Sequence, residues 1–285
     1  MSARPYVQVI GDPIAHSKSP MIHGFWLEKL GIEADYSAER VSSGKLQDYI
    51  SRSLKDPNWV GCNVTMPLKH EALEQSDIAH SVARRIGVSN TLLRGENGLG
   101  AFNTDAAGFL EPLRDELSKQ HYFRMARILG TGGAARAIVT ALYDEGFILV
   151  LAGRNPTKAR AMLDELAPKG DHHAVHLDRF AEPTDFAFDD REGCLDLIVN
   201  ASPLGMRGQP ELAFDWSHAP PGAIAYDIVT DPIDTAFLKN ARKAGFATID
   251  GFNMLIGQAA VAFEKFFGAA PPREHDAELR ERLLA

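Results

Sequence analysis

Lys69 is the residue best placed to move a proton. It ends the run Gly61-Cys62-Asn63-Val64-Thr65-Met66-Pro67-Leu68-Lys69, where a strand pattern, Trp59–Val64, gives way to a helical one. Pro67 is expected to open that helix and to place Lys69 in its first turn. A cation there opposes the helix dipole, so the ammonium form is destabilised, which suits a general base. Alone, a lysine is most often a solvated surface residue, but here its neighbours weigh against that. Asn63 and Thr65 alternate along the strand end and face the same side. Asn90-Thr91 follows another short apolar run, and Asn103-Thr104-Asp105 precedes a helical pattern. On spacing alone Asp105 reads as a helix N-cap. Paired with Lys69, it would orient the amine and hold its charge. Lysine would then exchange a proton with a substrate hydroxyl while a dinucleotide takes hydride from the same carbon. Ser17 and Ser19 stand at another helix start, with Ser19 as N-cap and Pro20 at the first helical position. Hydroxyls and free N–H groups there suit a carboxylate, and capping and anion binding are compatible.

The hydride partner has its own signature. Ile128-Leu129-Gly130-Thr131-Gly132-Gly133-Ala134-Ala135 follows a strand and opens a helix, matching G-x-G-x-x-G/A with Ala135 in the last place. Such glycines permit a tight turn and close approach of a pyrophosphate to the helix N-terminus. The strand–turn–helix setting weighs against a turn used only for packing. An NAD site usually carries an acidic residue at the end of the next strand, to hold the ribose hydroxyls. Here that place reads Ala152-Gly153-Arg154-Asn155-Pro156-Thr157-Lys158. A guanidinium suits a 2′-phosphate, so Arg154 and Lys158 point to NADP; the alternative is that Arg154 is an ordinary surface arginine.

These groups need elements to hold them. The fold expected is α/β, with two α/β domains, the second a Rossmann-type dinucleotide-binding domain. In the first, Tyr6–Ile10 and Trp59–Val64 read as strands, with helices from Ser19 to a stop at Gly31 and from Pro67 to about Ser76. In the second, strands are expected at Ala126–Leu129, Phe147–Ala152, Leu195–Asn200 and Ala223–Ile228. Helices are expected at Ala135–Glu145 and Pro156–Leu166. The C-terminal helices, Met254–Phe267 and Arg273–Leu284, are expected to return to the first domain. The division is thus 1–106 plus 251–285 for substrate and catalysis, and 107–250 for NADP. The stretch 168–193 is weakly patterned. Its His172, His173 and His176 lie beside Asp171 and Asp178 but show no helical ligand spacing, so a solvated loop is read there and no metal.

Of the 285 residues 45 % are hydrophobic, enough for cores without metal or disulfide staples. A formal net charge of −8 argues against nucleic acid as partner, because no basic excess exists to displace counterions. Cys62 and Cys194 form no metal or redox motif, which reads as a reduced compartment. Met1 to Pro5 runs straight into a strand with no leader pattern, and no apolar stretch reaches membrane-spanning length. A cytoplasmic enzyme follows, acting on a small molecule as a monomer or homodimer.

Taken together, several runs resemble the shikimate/quinate dehydrogenase family. They are Gly11-Asp12-Pro13-Ile14-Ala15-His16-Ser17-Lys18-Ser19-Pro20, Asn63-Val64-Thr65-Met66-Pro67-Leu68-Lys69, Asn90-Thr91-Leu92 and Asn103-Thr104-Asp105. They continue with Gly130-Thr131-Gly132-Gly133-Ala134-Ala135-Arg136, Asn200-Ala201-Ser202-Pro203-Leu204-Gly205-Met206 and Asp250-Gly251-Phe252-Asn253-Met254-Leu255-Ile256-Gly257-Gln258. The runs keep the family's order over nearly the whole chain. The resemblance implies reversible, NADP-linked reduction of 3-dehydroshikimate to shikimate, with Lys69 and Asp105 as the catalytic pair. It implies that Ser17 and Ser19 hold the substrate carboxylate, and that Asn63, Thr65, Asn90, Asp105 and Gln258 bind its hydroxyls or orient Lys69. Gly130 to Ala134, Arg154, Ile228 and Gly251 would line the cofactor site. The chain departs from the family in three places. Gly153-Arg154-Asn155 replaces the usual Asn-Arg-Thr or Asn-Arg-Ser, and Gly87-Val88-Ser89 replaces Gly-Ala-Val. The tyrosine that reaches the substrate carboxylate in Asp-x-x-Tyr is here Thr230, a much shorter hydroxyl, which points to a changed substrate affinity or identity. Quinate or another shikimate-like acid is the alternative substrate. A non-catalytic shikimate-binding sensor is the alternative of another class; the presence of both Lys69 and Asp105 speaks against it.

Overall fold

The computed structural model describes residues 4–189 and 191–285. Met1–Ala3, part of the start read as leaderless, and Asp190, in the weakly patterned stretch, lie outside the described residues. The chain divides into two compact units, one running up to Thr104 and resuming at Ile256–Ala285, the other Asp105–Leu255.

The first unit contains β1 (Tyr6–Gly11), α1 (Ser19–Leu30), β2 (Asp35–Arg40), α2 (Leu46–Ser53), β3 (Trp59–Val64), α3 (Lys69–Glu74), β4 (Ile78–Ala79), α4 (Ser81–Ile86), β5 (Thr91–Gly95) and β6 (Gly98–Phe102). Its sheet has the order β2-β1-β3-β5-β6-β4. The strand–helix alternation makes β1, β2 and β3 parallel, but β5 runs antiparallel to both β3 and β6. The sheet is therefore mixed, because Gly95 pairs with Gly98 across a tight hairpin. The sequence does not announce β2. Its residues, Asp-Tyr-Ser-Ala-Glu-Arg, have neither alternation nor bulk; pairing with β1 from Tyr6↔Asp35 to Gly11↔Arg40 makes it an edge strand.

The second unit contains α5 (Asp105–Leu110), α6 (Arg114–Leu117), β7 (Phe123–Leu129), α7 (Gly133–Asp144), β8 (Ile148–Gly153), α8 (Pro156–Leu166), β9 (His173–His176), β10 (Cys194–Asn200), β11 (Ile224–Asp227), α9 (Ala236–Lys243) and β12 (Ala247–Ile249). All its strand pairs are parallel and the order is β12-β11-β10-β7-β8-β9. This is the doubly wound dinucleotide-binding arrangement, whose strand order reverses between β7 and β10. The supposed loop at 168–193 thus contains β9, an edge strand whose four residues pair with β8 from Val150↔His173 to Gly153↔His176. His172 is buried, and its Nδ1 accepts the Leu149 N–H at 3.0 Å. Among the described residues no group of three metal-ligating side chains occurs.

The 17-residue α10 (Gly251–Phe267) begins in the second unit and continues into the first, and α11 (Asp276–Leu284) follows. The C-terminal helices thus return to the first unit as expected. Lys29–Glu278 at 2.6 Å and Arg282–Glu28 at 3.4 Å pair α11 with α1. Lys18, at the start of α1, donates to the Leu283 carbonyl at 2.9 Å. No helix of the described residues is long and apolar enough to cross a membrane.

Candidate active site

In the first unit the candidate residues collect at the C-terminal ends of β1 and β3 and in the loops around β5 and β6. α1 starts at Ser19, with Lys18 rather than Ser19 in the cap position. The Ser17 hydroxyl oxygen instead accepts the Ser19 N–H at 3.3 Å. The cap shifts by one residue because the Ser17 N–H is already turned back onto the Ile14 carbonyl at 3.0 Å.

α3, by contrast, starts later than Pro67. A turn closed by Leu68 N–H on the Thr65 carbonyl, 3.0 Å, precedes it, and Lys69 is its first residue. Leu68 is fully buried, and a buried leucine contributes about 1.5–3 kcal/mol. That anchor, and the Lys69 carbonyl accepting Ser89 N–H at 2.9 Å, fix the backbone from which the half-buried Lys69 side chain projects. Asp105 opens α5 and is 5 % exposed, so its carboxylate stands at a helix start and is withdrawn from solvent.

Through the first unit runs a continuous chain of hydrogen bonds. The Tyr36 hydroxyl donates to Asn63 Oδ1 at 2.6 Å. Asn63 Nδ2 donates to Thr91 Oγ1 at 3.0 Å and to the Asn90 carbonyl at 3.3 Å. The Thr91 hydroxyl donates to Asn90 Oδ1 at 3.0 Å, and Thr104 N–H reaches the same oxygen at 2.9 Å. Asn90 Nδ2 donates to Thr104 Oγ1 at 2.8 Å and to Gln258 Oε1 at 3.5 Å. The Thr104 hydroxyl also donates to Gln258 Oε1, at 3.4 Å. The structure thus brings Asn63, Asn90 and Gln258 together, with Thr65 beyond the end of β3, its N–H on the Ile10 carbonyl at 2.9 Å. Sequence reasoning assigns no role to Tyr36, Thr91 or Thr104. The Asn-Thr pairs hold a signal for the two threonines; Tyr36, in an edge strand without pattern, holds none.

In the second unit the glycine turn lies at the C-terminal end of β7. Gly130 has φ 128°, and a Cβ there would lie 2.6 Å from the Ala201 carbonyl oxygen, so only glycine fits. Gly132 differs. It caps α7 with φ −87°, and a Cβ there would meet nothing within 4 Å. No protein atom crowds that position, and the first N–H groups of a helix have no intrahelical acceptor, a setting that suits an anion. At the end of β8, Asn155 caps α8 by accepting Lys158 N–H at 3.1 Å. Arg154 and Lys158 are exposed, and among the described residues neither side chain has an acidic partner. The turn, the uncrowded Gly132 and these two cations fit a dinucleotide with a 2′-phosphate.

Ile228 and Gly251 also meet: a Cβ on Gly251 would lie 2.8 Å from the Ile228 carbonyl and 2.2 Å from that of Val229. Thr230 is half-buried just past β11. Asp227 is the acidic residue of the Asp-x-x-Tyr position that ends here in Thr230, and sequence reasoning gives it no role. It is fully buried and accepts Asn200 Nδ2 at 3.0 Å, Val229 N–H at 3.0 Å and the Thr235 hydroxyl at 2.7 Å. Burial outweighs these donors and pushes its carboxyl up to about 6.

A doubly wound nucleotide unit, in one chain with a unit that carries a buried amide–hydroxyl chain, defines a dinucleotide-dependent oxidoreductase of two α/β units. The family model described as the shikimate dehydrogenase substrate binding domain matches residues 9–92, and that of the shikimate 5′-dehydrogenase C-terminal domain matches residues 251–278. The shikimate dehydrogenase (NADP(+)) of Sphingopyxis alaskensis is 46 % identical, covering 99 % of this chain and 98 % of that one. That of Maricaulis maris is 40 % identical, covering 97 % and 94 %. The crystal structure of shikimate 5-dehydrogenase from Thermus thermophilus in complex with NADP(H) and shikimate aligns with TM-score 0.80 and 34 % identity, covering 98 % of this chain and 100 % of that one. The chain belongs to the shikimate dehydrogenase family.

Proposed function

We propose that the protein is an NADP-dependent shikimate dehydrogenase, interconverting 3-dehydroshikimate and shikimate in the cytoplasm as a monomer or homodimer. The observation that carries this reading is the match over essentially its whole length to curated NADP-dependent shikimate dehydrogenases. In the oxidative direction Lys69, as the neutral amine, takes the proton of one substrate hydroxyl, and hydride leaves the same carbon. The C–O bond becomes C=O as the oxygen loses its proton and the carbon loses a hydride. NADP, when bound, supplies the hydride acceptor. Asp105 orients the amine and balances its charge after protonation. Ser17 and Ser19, at the start of α1, hold the carboxylate through hydroxyl and N–H donors. Asn63, Thr65, Asn90 and Gln258 receive the ring hydroxyls. Gly130 to Ala134 take the pyrophosphate, Arg154 and Lys158 the 2′-phosphate, and Ile228 and Gly251 line the nicotinamide end.

The test is turnover of shikimate and of quinate, each with NADP and NAD, followed by absorbance of the reduced nicotinamide. Shikimate with NADP is expected to give the highest kcat/KM; quinate or NAD in first place would overturn the assignment. Thr230 is the position where substrate affinity or identity departs from the family. Thr230→Tyr is expected to change kcat/KM for shikimate, and equal values in both proteins would remove that role.

A further inference from the structure

Backbone pairing between β1 and the β3 segment continues past the end of their ladder at Ile10↔Val64. The Thr65 N–H donates to the Ile10 carbonyl at 2.9 Å, and the Asp12 N–H donates to the Met66 carbonyl at 3.0 Å. Gly11 lies buried between these two bonds, and its own carbonyl accepts the Val41 N–H at 3.1 Å. The two segments that meet here lead to Ser17 and Ser19 on one side and to Lys69 on the other. A Cβ on Gly11 would lie 2.5 Å from Thr65 Cγ2 and 2.8 Å from the Met66 carbonyl oxygen. The φ of Gly11 lies outside the left-handed region, so close approach, and not backbone conformation, calls for glycine.

Thr65 has little freedom to yield along its backbone. Its N–H is held by Ile10, and its carbonyl accepts the Leu68 N–H at 3.0 Å. The Met66 carbonyl is held in turn by Asp12. With the backbone pinned, rotation about the Cα–Cβ bond of Thr65 is the softest way to clear a new methyl group. Threonine carries its methyl and its hydroxyl on the same carbon, and χ1 settles in staggered wells about 120° apart. A methyl pushed out of its well therefore takes the hydroxyl with it, further than a hydrogen bond tolerates. Serine in the same place has no methyl to push.

We propose that Gly11 is a positioning residue for the substrate hydroxyl at Thr65: the absence of a side chain at position 11 seats the Thr65 methyl against β1, and that seat sets where the Thr65 hydroxyl stands. This rests on the reading of the site as one for shikimate. Gly11→Ala is expected to raise KM for shikimate about fivefold, the effect of one lost hydrogen bond, with KM for NADP within about twofold of wild type. In a Thr65→Ser background the same substitution is expected to change KM for shikimate by less than about twofold, because the methyl is gone while the Met66 carbonyl is still there. Equal factors in both backgrounds would assign the effect to the backbone and overturn the proposal, as would an unchanged KM for shikimate in the single variant. Should Gly11→Ala fail to fold, the double variant Gly11→Ala/Thr65→Ser decides. Folded protein with KM for shikimate near that of Thr65→Ser supports the proposal. A KM well above that of Thr65→Ser, or failure of the double variant to fold, overturns it, since the Met66 carbonyl is then what excludes a side chain. Wild-type protein that fails to oxidise shikimate would instead overturn the underlying assignment of function.

Discussion

At the scale of single residues, the chemistry assigned to the site divides between groups that react and groups that hold. Lys69 has a backbone pinned on both sides, by the buried Leu68 and by the hydrogen bond from Ser89. Lys69→Ala should therefore remove proton transfer and little else. Its kcat is expected to fall by about 10²–10⁴-fold, the usual contribution of a general acid–base group, with NADP affinity retained in a fluorescence titration. Unchanged turnover would contradict the role. Arg154 is solvent-exposed and has no acidic neighbour among the described residues, so its substitution should not unsettle the fold. A charge-assisted hydrogen bond to phosphate contributes about 1.5–3 kcal/mol. Arg154→Ala is thus expected to raise KM for NADP by about ten- to a hundredfold while KM for NAD stays put; parallel rises would assign Arg154 elsewhere.

At the scale of elements, the turn between β7 and α7 separates two reasons for glycine. At Gly130 the reason is internal, since φ 128° and the Ala201 carbonyl leave no place for a side chain. Gly130→Ala is expected to destabilise the protein by about 1–3 kcal/mol, read as a lower melting temperature without ligand. At Gly132 no protein atom stands in the way, and its φ of −87° suits any residue. Gly132→Ala should leave the ligand-free melting temperature near wild type and raise KM for NADP about tenfold or more, about 1.4 kcal/mol. A drop in ligand-free stability with unchanged KM would show that this glycine serves packing alone. The first unit shows the same division of labour. α1 and α3 each open within two residues of the expected place, but their start points are set by turns closed on Ile14 and Thr65.

At the scale of the whole molecule, Asp227 links folding to pH. Its carboxyl, raised from 3.8 to about 6 by burial, keeps its proton in the folded state after the unfolded chain has lost it. At this group the folded state binds more protons between pH 4 and 6, so its own contribution to stability falls as pH rises through that window, by about 3 kcal/mol. Asp227→Asn has no such proton. Its Oδ1 can still accept from Val229 and Asn200, and its Nδ2 can donate to Thr235 Oγ1. The difference in urea-unfolding free energy between wild type and variant is expected to shift against the wild type from pH 4 to pH 6. Parallel profiles would place the raised pKa elsewhere.

The order of strands and helices and the glycine turn were legible in the chain itself, as were the residues from which a site is proposed. Local signals suffice there: Trp59–Val64 and Pro156–Leu166 occur at the expected bounds because bulk, alternation and a starting proline are properties of neighbours in sequence. Three things were not legible. The edge strands β2 and β9 form because a partner strand offers a ladder, not because their own residues favour one. Tyr36, Thr91 and Thr104 gain meaning only from partners up to 154 residues away, as Thr104 does from Gln258. Asp227 titrates near neutrality only because folding strips it of water. Propensity and motif are local quantities, whereas hydrogen-bond direction and desolvation belong to groups that the fold alone makes neighbours.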